Sequence, residues 1–297
     1  MKPFAVVVLA IVLCAAAPTP SPSSAPQEAL SDARWTGPML APSAGTLPRG
    51  HLLVEPYVYD VIAPDKHTYG SLSYVIYGAS DRLSVGLVPT FTDASGIRFG
   101  DLSVLAQYRL AQYRAGSWVP TTSVNVQESL PTGRYDRLGG TPSNGVGSGA
   151  YATTLSLYTQ TYAWMPNGRI LRLRLNVSQA FSSAVNVDGV SVYGTDANFH
   201  GYAKPGSTFT LDEAQEYSIT RNWVFALDLV YRRTGSTLVA GTSRTTNSQP
   251  SDTYMFAPAL EYNWSASVGV LLGMRVIPAG INGPETLTPA VAINIVR

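Results

Sequence analysis

Charge is scarce in this chain. Asp, Glu, Lys and Arg make up 13% of 297 residues, where an ordinary soluble domain carries about 25%. The net formal charge is +1, which removes the basic balance that nucleic-acid binding rests on. There are three histidines and one cysteine, Cys14, so no disulfide can form within the chain. Long apolar runs are missing too. The opening apolar run falls short of the ~20 residues a spanning helix needs, no other segment is long and apolar enough, and no segment keeps a convincing helical period. A chain without helices can still enter a membrane as a closed barrel, because closure satisfies every backbone polar group.

The start of the chain reads as an export signal over residues 1–17. Lys2 gives the positive end, Phe4 to Leu13 the apolar core, and Cys14-Ala15-Ala16-Ala17 the small residues that signal peptidase needs. A cut after Ala16 fits better than one after Ala17, which would leave Pro18 directly after the cut. A lipidated Cys14 is the alternative, but Leu13 is bulky where a small residue is expected. Cleavage removes the only cysteine, and with it any thiol nucleophile or cysteine metal ligand. Residues 18–50, opening "PTPSPSSAPQ", have the composition of a flexible Pro/Ser/Ala-rich linker. The domain proper is expected over 51–297.

Glycine (26), tyrosine (17) and tryptophan (5) are plentiful, which favours strands and turns. In "GRILRLRLNVSQAF" (168–181), Leu171, Leu173, Leu175 and Val177 share one parity, and Arg172, Arg174, Asn176 and Ser178 the other. A strand with this pattern has one oily side and one charged side. Twelve such runs follow one another, at about 51–62, 69–77, 82–91, 99–111, 117–128, 150–163, 169–181, 207–219, 222–233, 252–263, 267–277 and 286–296. Tight connections ("GASD", "AQYRAGS", "MPNG", "TRN", "WSAS") alternate with longer ones, notably 130–149, 182–206 and 234–251. This is the rhythm of a transmembrane, antiparallel, up-and-down β-barrel in the outer membrane, with short turns in the periplasm.

The faces agree. Leu83, Val85 and Leu87, then Phe225, Leu227 and Leu229, then Leu272, Met274 and Val276 are outward candidates. Tyr108, Trp118, Trp164, Trp223 and Trp264 lie near strand ends, where aromatic girdles sit. A soluble sandwich explains the alternation as well, but not the strand length, the low charge or polar faces of Ser, Thr, Gln and Tyr. One run resists. In 207–219, Phe209 and Leu211 share parity with Glu213 and Gln215, so a bulge near Asp212 is expected to restore the phase.

The expected lumen-lining residues are Glu55, Asp101, Arg109, Arg172, Arg174, Asp228, Arg232, Glu261 and Arg275. Two roles remain open for them: bridging and filling a narrow lumen, or lining a passage and orienting solutes. Catalysis finds little support. His51 alone stands near a strand, with no serine placed beside it at a membrane edge, while His67 and His200 fall in loops. "GVGSGA" (145–150) precedes a strand, not a helix, so it lacks the N-terminus that cradles phosphate. Asp93, Asp101, Asp188 and Asp196 show no calcium-loop spacing. The chain is therefore expected to be no enzyme and to hold no cofactor or metal.

"SVNVQESLPTGRYDRLG" (123–139), "NGVGSGAYATTLSLYTQ" (144–160) and "PNGRILRLRLNVS" (166–178) together resemble the phenol meta-pathway family of outer-membrane proteins. "GTLPRGHLLVEPYVYD" (45–60) is similar to the start of that family's barrel. The resemblance implies an outer-membrane barrel for passage of small hydrophobic or aromatic organic compounds, and it carries over no catalytic residue. Expected partners are outer-membrane lipid, small organic solutes and the barrel-assembly machinery. The ending "AVAINIVR" departs from the terminal aromatic usual in such barrels. A structural or surface-interaction barrel without transport is the alternative.

Overall fold

Strands with one oily and one polar face leave two edges to satisfy, and here the sheet does so by closing on itself. The structure, a computed structural model, describes residues 25–93, 96–242, 244–279, 283 and 285–297. The expected export signal lies outside the described residues.

The wall begins with β1 (Leu52–Ala63), β2 (Lys66–Ser80), β3 (Leu83–Val88), β4 (Thr90–Asp93), β5 (Ile97–Phe99) and β6 (Leu102–Ala111). It continues through β7 (Thr121–Leu130), β8 (Ala152–Trp164) and β9 (Ile170–Ser182). Two short strands, β10 (Val185–Asp188) and β11 (His200–Lys204), leave the wall, which resumes with β12 (Thr208–Ser218) and β13 (Trp223–Thr234). A second excursion holds β14 (Leu238–Gly241) and β15 (Thr245–Asn247). The circuit finishes with β16 (Ser251–Asn263), β17 (Val268–Ile277) and β18 (Thr286–Val296). β3 and β4 both pair with β2 and so share one stave; β5 and β6 share the next. The result is a closed antiparallel barrel of 12 staves. Closure is the β1–β18 ladder, from Leu53 opposite Val296 to Ile62 opposite Leu287.

Parity sets the faces as the sequence predicts. Leu175, Phe225, Phe256, Leu260 and Leu272 are exposed on the outside, while Arg172, Arg174, Asn176, Asp228 and Glu261 are buried inside. Tyr108, Trp223 and Trp264 project outward at the short-turn end, and Tyr262 packs between the two tryptophans. Trp164 departs from the expected girdle. It shares parity with Gln160, so it turns inward and its indole N–H donates to the Glu28 carbonyl.

The bulge expected near Asp212 does not exist. β12 runs in unbroken register with both β9 and β13. Asp212, Ala214, Glu216 and Ser218 face inward, and Phe209, Leu211, Glu213, Gln215 and Tyr217 face outward. Glu213 therefore sits at mid-strand on the oily belt, between Leu175 and Leu229, with Gln215 donating to its carboxylate at 3.4 Å. The impure parity is a real polar spot on the lipid face and not a phase error.

That spot yields a test of the belt. Leu272→Arg places a cation among Leu260 and Val291 and should cost about 2–4 kcal/mol near the midplane. Leu175→Arg, directly opposite Glu213, gains a carboxylate partner and should cost clearly less. Urea midpoints in lipid vesicles compare the two; equal losses would remove Glu213 from the lipid face.

The long connections are more ordered than sequence alone suggests. β10, β11, β14 and β15 form a separate four-stranded sheet at the long-loop end. Phe199, Val187, Ala203 and Val239 make its core, with Tyr135 and Tyr193 packed against it. Asp188 ties it to the 131–149 loop. His200 Nδ1 lies 2.9 Å from one carboxylate oxygen and the Arg137 guanidinium 2.6 Å from the other. Those two hydrogen bonds hold the Asp188 carboxyl below the usual carboxylate range.

Candidate functional site

The lumen is occupied by the chain's own N-terminal segment. Residues 25–50, expected as a flexible linker, instead enter the barrel, and the reason is hydrogen-bonding chemistry. Pro26, Pro38, Pro42 and Pro48 interrupt any strand ladder the segment could form, and the inner wall supplies partners for its backbone groups. Glu28 marks the entry at the short-turn end: its N–H donates to Gly168, and its carboxylate accepts from Arg169 at 3.2 Å and from the Ser218 hydroxyl at 2.6 Å. Arg34 then bonds to the Trp264 carbonyl at 2.6 Å.

From there the segment climbs. Thr36 N–H donates to Glu261 at 2.7 Å, and Leu40 and Ala41 N–H donate to the two oxygens of Asp228 at 3.2 and 2.9 Å. At the apex, Arg174 donates to the Ala41 carbonyl at 2.7 Å and Asn176 to the Pro42 carbonyl at 2.9 Å. The descent follows the opposite wall. Gln107 donates to the Ser43 and Gly45 carbonyls, Ser123 to Ala44, and Ser84 accepts from Leu47 N–H at 2.9 Å. Thr46 and Arg49 reach Asp81 in a short turn, and β1 begins at Leu52. Both limbs of this plug thus meet the barrel at its short-turn end.

Small residues on the inner wall make the room. Ala226, Ala259, Leu271 and Ala292 form an inner cluster against which Met39 packs. A side chain at Gly273 would meet Met39 Sδ at 3.2 Å, and one at Gly269 would collide with Thr36 Oγ1 at 2.1 Å. These inward alanines and glycines are the signal in the sequence that betrays the plug. A barrel filled by its own wall side chains uses larger ones.

Beside the plug lies a buried charge cluster. Glu216, fully buried, accepts from Arg172 Nε at 2.6 Å and takes a second bond from the same guanidinium. Arg174 Nε lies 2.9 Å from the same carboxylate. Arg172 also stacks 4.4 Å from the Trp35 ring of the plug. Glu216 was missed in the sequence because its strand had no clean parity.

The nine lumen candidates separate by height. Arg172, Arg174, Asp228 and Glu261 converge on the plug and grip it. Glu55 faces a cavity beside the plug and accepts from Asn294 at 3.3 Å. Arg109 stands at the short-turn rim with Arg82 and Tyr113. Asp101 holds a loop: its carboxylate accepts from Gly133 N–H, Ser148 N–H and the Ser148 hydroxyl, and so clamps the 131–149 loop. Arg232 and Arg275 face the lumen above the plug apex, toward the long-loop end.

Between plug and wall is a cavity of about 310 Å³. Tyr57, Tyr74, Tyr158, Ile76 and Leu105 line it, with Glu55 and Asn125 among its polar groups. Of the histidines, His67 contacts Asp60 and His200 contacts Asp188.

Among solved structures, an outer membrane channel from Pseudomonas putida F1 is similar at TM-score 0.64 and 15% identity, over 86% of this chain and 98% of that one. The NanC porin (TM-score 0.49, 10% identity) covers 81% of this chain and 98% of its own. The KdgM porin, solved in complex with disordered oligogalacturonate (TM-score 0.45, 12% identity), covers 80% and 97%. No family model matches the chain, and no curated protein matches it. The closed wall and its apolar belt define a membrane-spanning antiparallel β-barrel of 12 staves, the fold of that outer membrane channel. What the phenol meta-pathway resemblance adds beyond that barrel is a matter of function.

Proposed function

We propose that this barrel passes small hydrophobic or aromatic organic compounds across the outer membrane, with short turns and plug on the periplasmic side. The cavity beside the plug carries this reading. Its volume of about 310 Å³ lies at the lower end for small-molecule pockets, about right for a substituted single ring. Tyrosine rings and aliphatic side chains suit the body of such a solute, and Glu55 and Asn125 suit a hydroxyl or other polar substituent. The export signal over 1–17 and delivery by the assembly machinery belong to the same proposal, since the plug reaches its seat only from the periplasm.

The test is uptake of radiolabelled toluene by intact cells whose lipopolysaccharide slows passive entry. Expression of the barrel should accelerate uptake. Leu105→Trp, which fills the cavity from the wall, should return it close to the vector level while the protein keeps its heat-dependent gel shift. Uptake indifferent to expression, or to the filled cavity, would leave the surface-interaction barrel, with the four-stranded outer sheet as its contact face.

A further inference from the structure

The charges of the inner wall divide at the plug apex. Below it, Arg172 and Arg174 share Glu216, while Asp228 and Glu261 hold plug N–H groups. Above it, two arginines face the lumen without an acid of their own. Arg232, on β13, is exposed and forms no ion pair among the described residues. Asp212 lies within its electrostatic reach but does not contact it. Arg275, on β17, donates from one terminal nitrogen to the Thr288 hydroxyl at 3.2 Å, and its buried Nε has no partner.

The two are also neighbours. Arg275 feels the charge of Arg232 across β16, whose inward side chains there are Thr253, Met255 and Ala257. Like charges placed together at a sparsely charged wall repel, and that repulsion is relieved when an anion sits between them. Tyr59 completes the surroundings. It is an electrostatic neighbour of Arg275, and its ring lies flat over Gly70, where any side chain would collide at 2.5 Å. Gly70 thus makes room for the Tyr59 ring on the Arg275 side of the mouth.

We propose that Arg232 and Arg275 hold the carboxylate of a small organic acid at the outer mouth of the lumen, with Tyr59 against its body. A guanidinium presents a planar fork that matches a carboxylate, and two of them fix its direction as well as its charge. The site rests on the passage reading only for its purpose: it selects acids from the mixture that reaches the mouth. As a binding site it stands by itself, because the plug lies below it.

Isothermal titration of the folded full-length barrel, plug in place and ionic strength held constant, tests this with sodium benzoate and benzyl alcohol. Benzoate should bind saturably, and benzyl alcohol at least about tenfold more weakly. Arg232→Gln and Arg275→Gln should each weaken benzoate about tenfold, while Arg109→Gln at the opposite rim leaves it unchanged. Arg232 is exposed, so its variant is expected to fold, and the gel shift checks both. Benzoate that fails to bind, binds no better than the alcohol, or ignores both substitutions overturns the site. Toluene uptake is a separate readout, so loss of the passage reading and loss of the anion site can be told apart.

Discussion

Deleting residues 28–47 is expected to raise the single-channel conductance of the barrel at least about tenfold, since a 12-stranded wall is wider than one its own side chains can fill. The plug apex, Leu40 to Ser43, occupies the lumen at the height of Arg174 and Asn176. The wall behind it carries Ala226, Ala257 and Ala259, which are too small to refill the gap. Removal strips Asp228 and Glu261 of the plug N–H groups they accept, but water enters with the opening and hydrates them, so the wall should still close. The vacated half then displays more acids (Glu55, Asp212, Glu216, Asp228, Glu261) than arginines (Arg172, Arg174 and, at the rim, Arg109), and the current should favour cations. Planar-bilayer recordings measure both. A folded deletion variant with unchanged conductance would mean that the lumen is blocked elsewhere.

Glu216→Leu should be the most damaging single substitution in the wall. The carboxylate is fully buried and serves two guanidiniums, each itself nearly buried. Taking it away strands two cations, and breaking a buried pair by removing one partner costs about 3–5 kcal/mol. Arg174→Leu should cost less, because Glu216 keeps Arg172 and only the bond to the Ala41 carbonyl is lost besides. Replacing Glu216, Arg172 and Arg174 together by leucine should recover much of the stability, as apolar replacement of buried ion pairs often does. Denaturant midpoints of the vesicle-inserted barrel rank the three variants. A Glu216→Leu protein as stable as the parent would show that water reaches the cluster.

The wall was legible because its signal is local. Residues 168–181 declare both faces by parity alone, and the same rule recovers every stave within a few residues of its observed bounds. What parity cannot express is contact between distant segments. Residues 28–47 have a linker's composition, and their order comes from Asp228, Glu261, Gln107 and Ser123, between 60 and more than 200 positions away. Trp164 looked like a girdle residue from its place at a strand end, whereas its parity with Gln160 already turned it inward. The mixed face of β12 mimics a slipped phase, which hides Glu216 and makes Glu213 look misplaced. Asp101 shares the composition of a lumen residue and lies one step outside β6, where a loop backbone claims it.

Both limbs of the plug meet the barrel at one rim, and that geometry has a topological consequence. A segment running from one mouth to the other would be captive, since no part of it could leave without drawing a free end through the full bore. This one is a bight, a fold of rope pushed into a tube and held by its sides. It can be seated after the ring of strands has closed, and it can be withdrawn through the same opening without parting a single strand-to-strand hydrogen bond. The barrel can therefore be unstoppered and restoppered from one side only, and the membrane-spanning wall need not take part in either event.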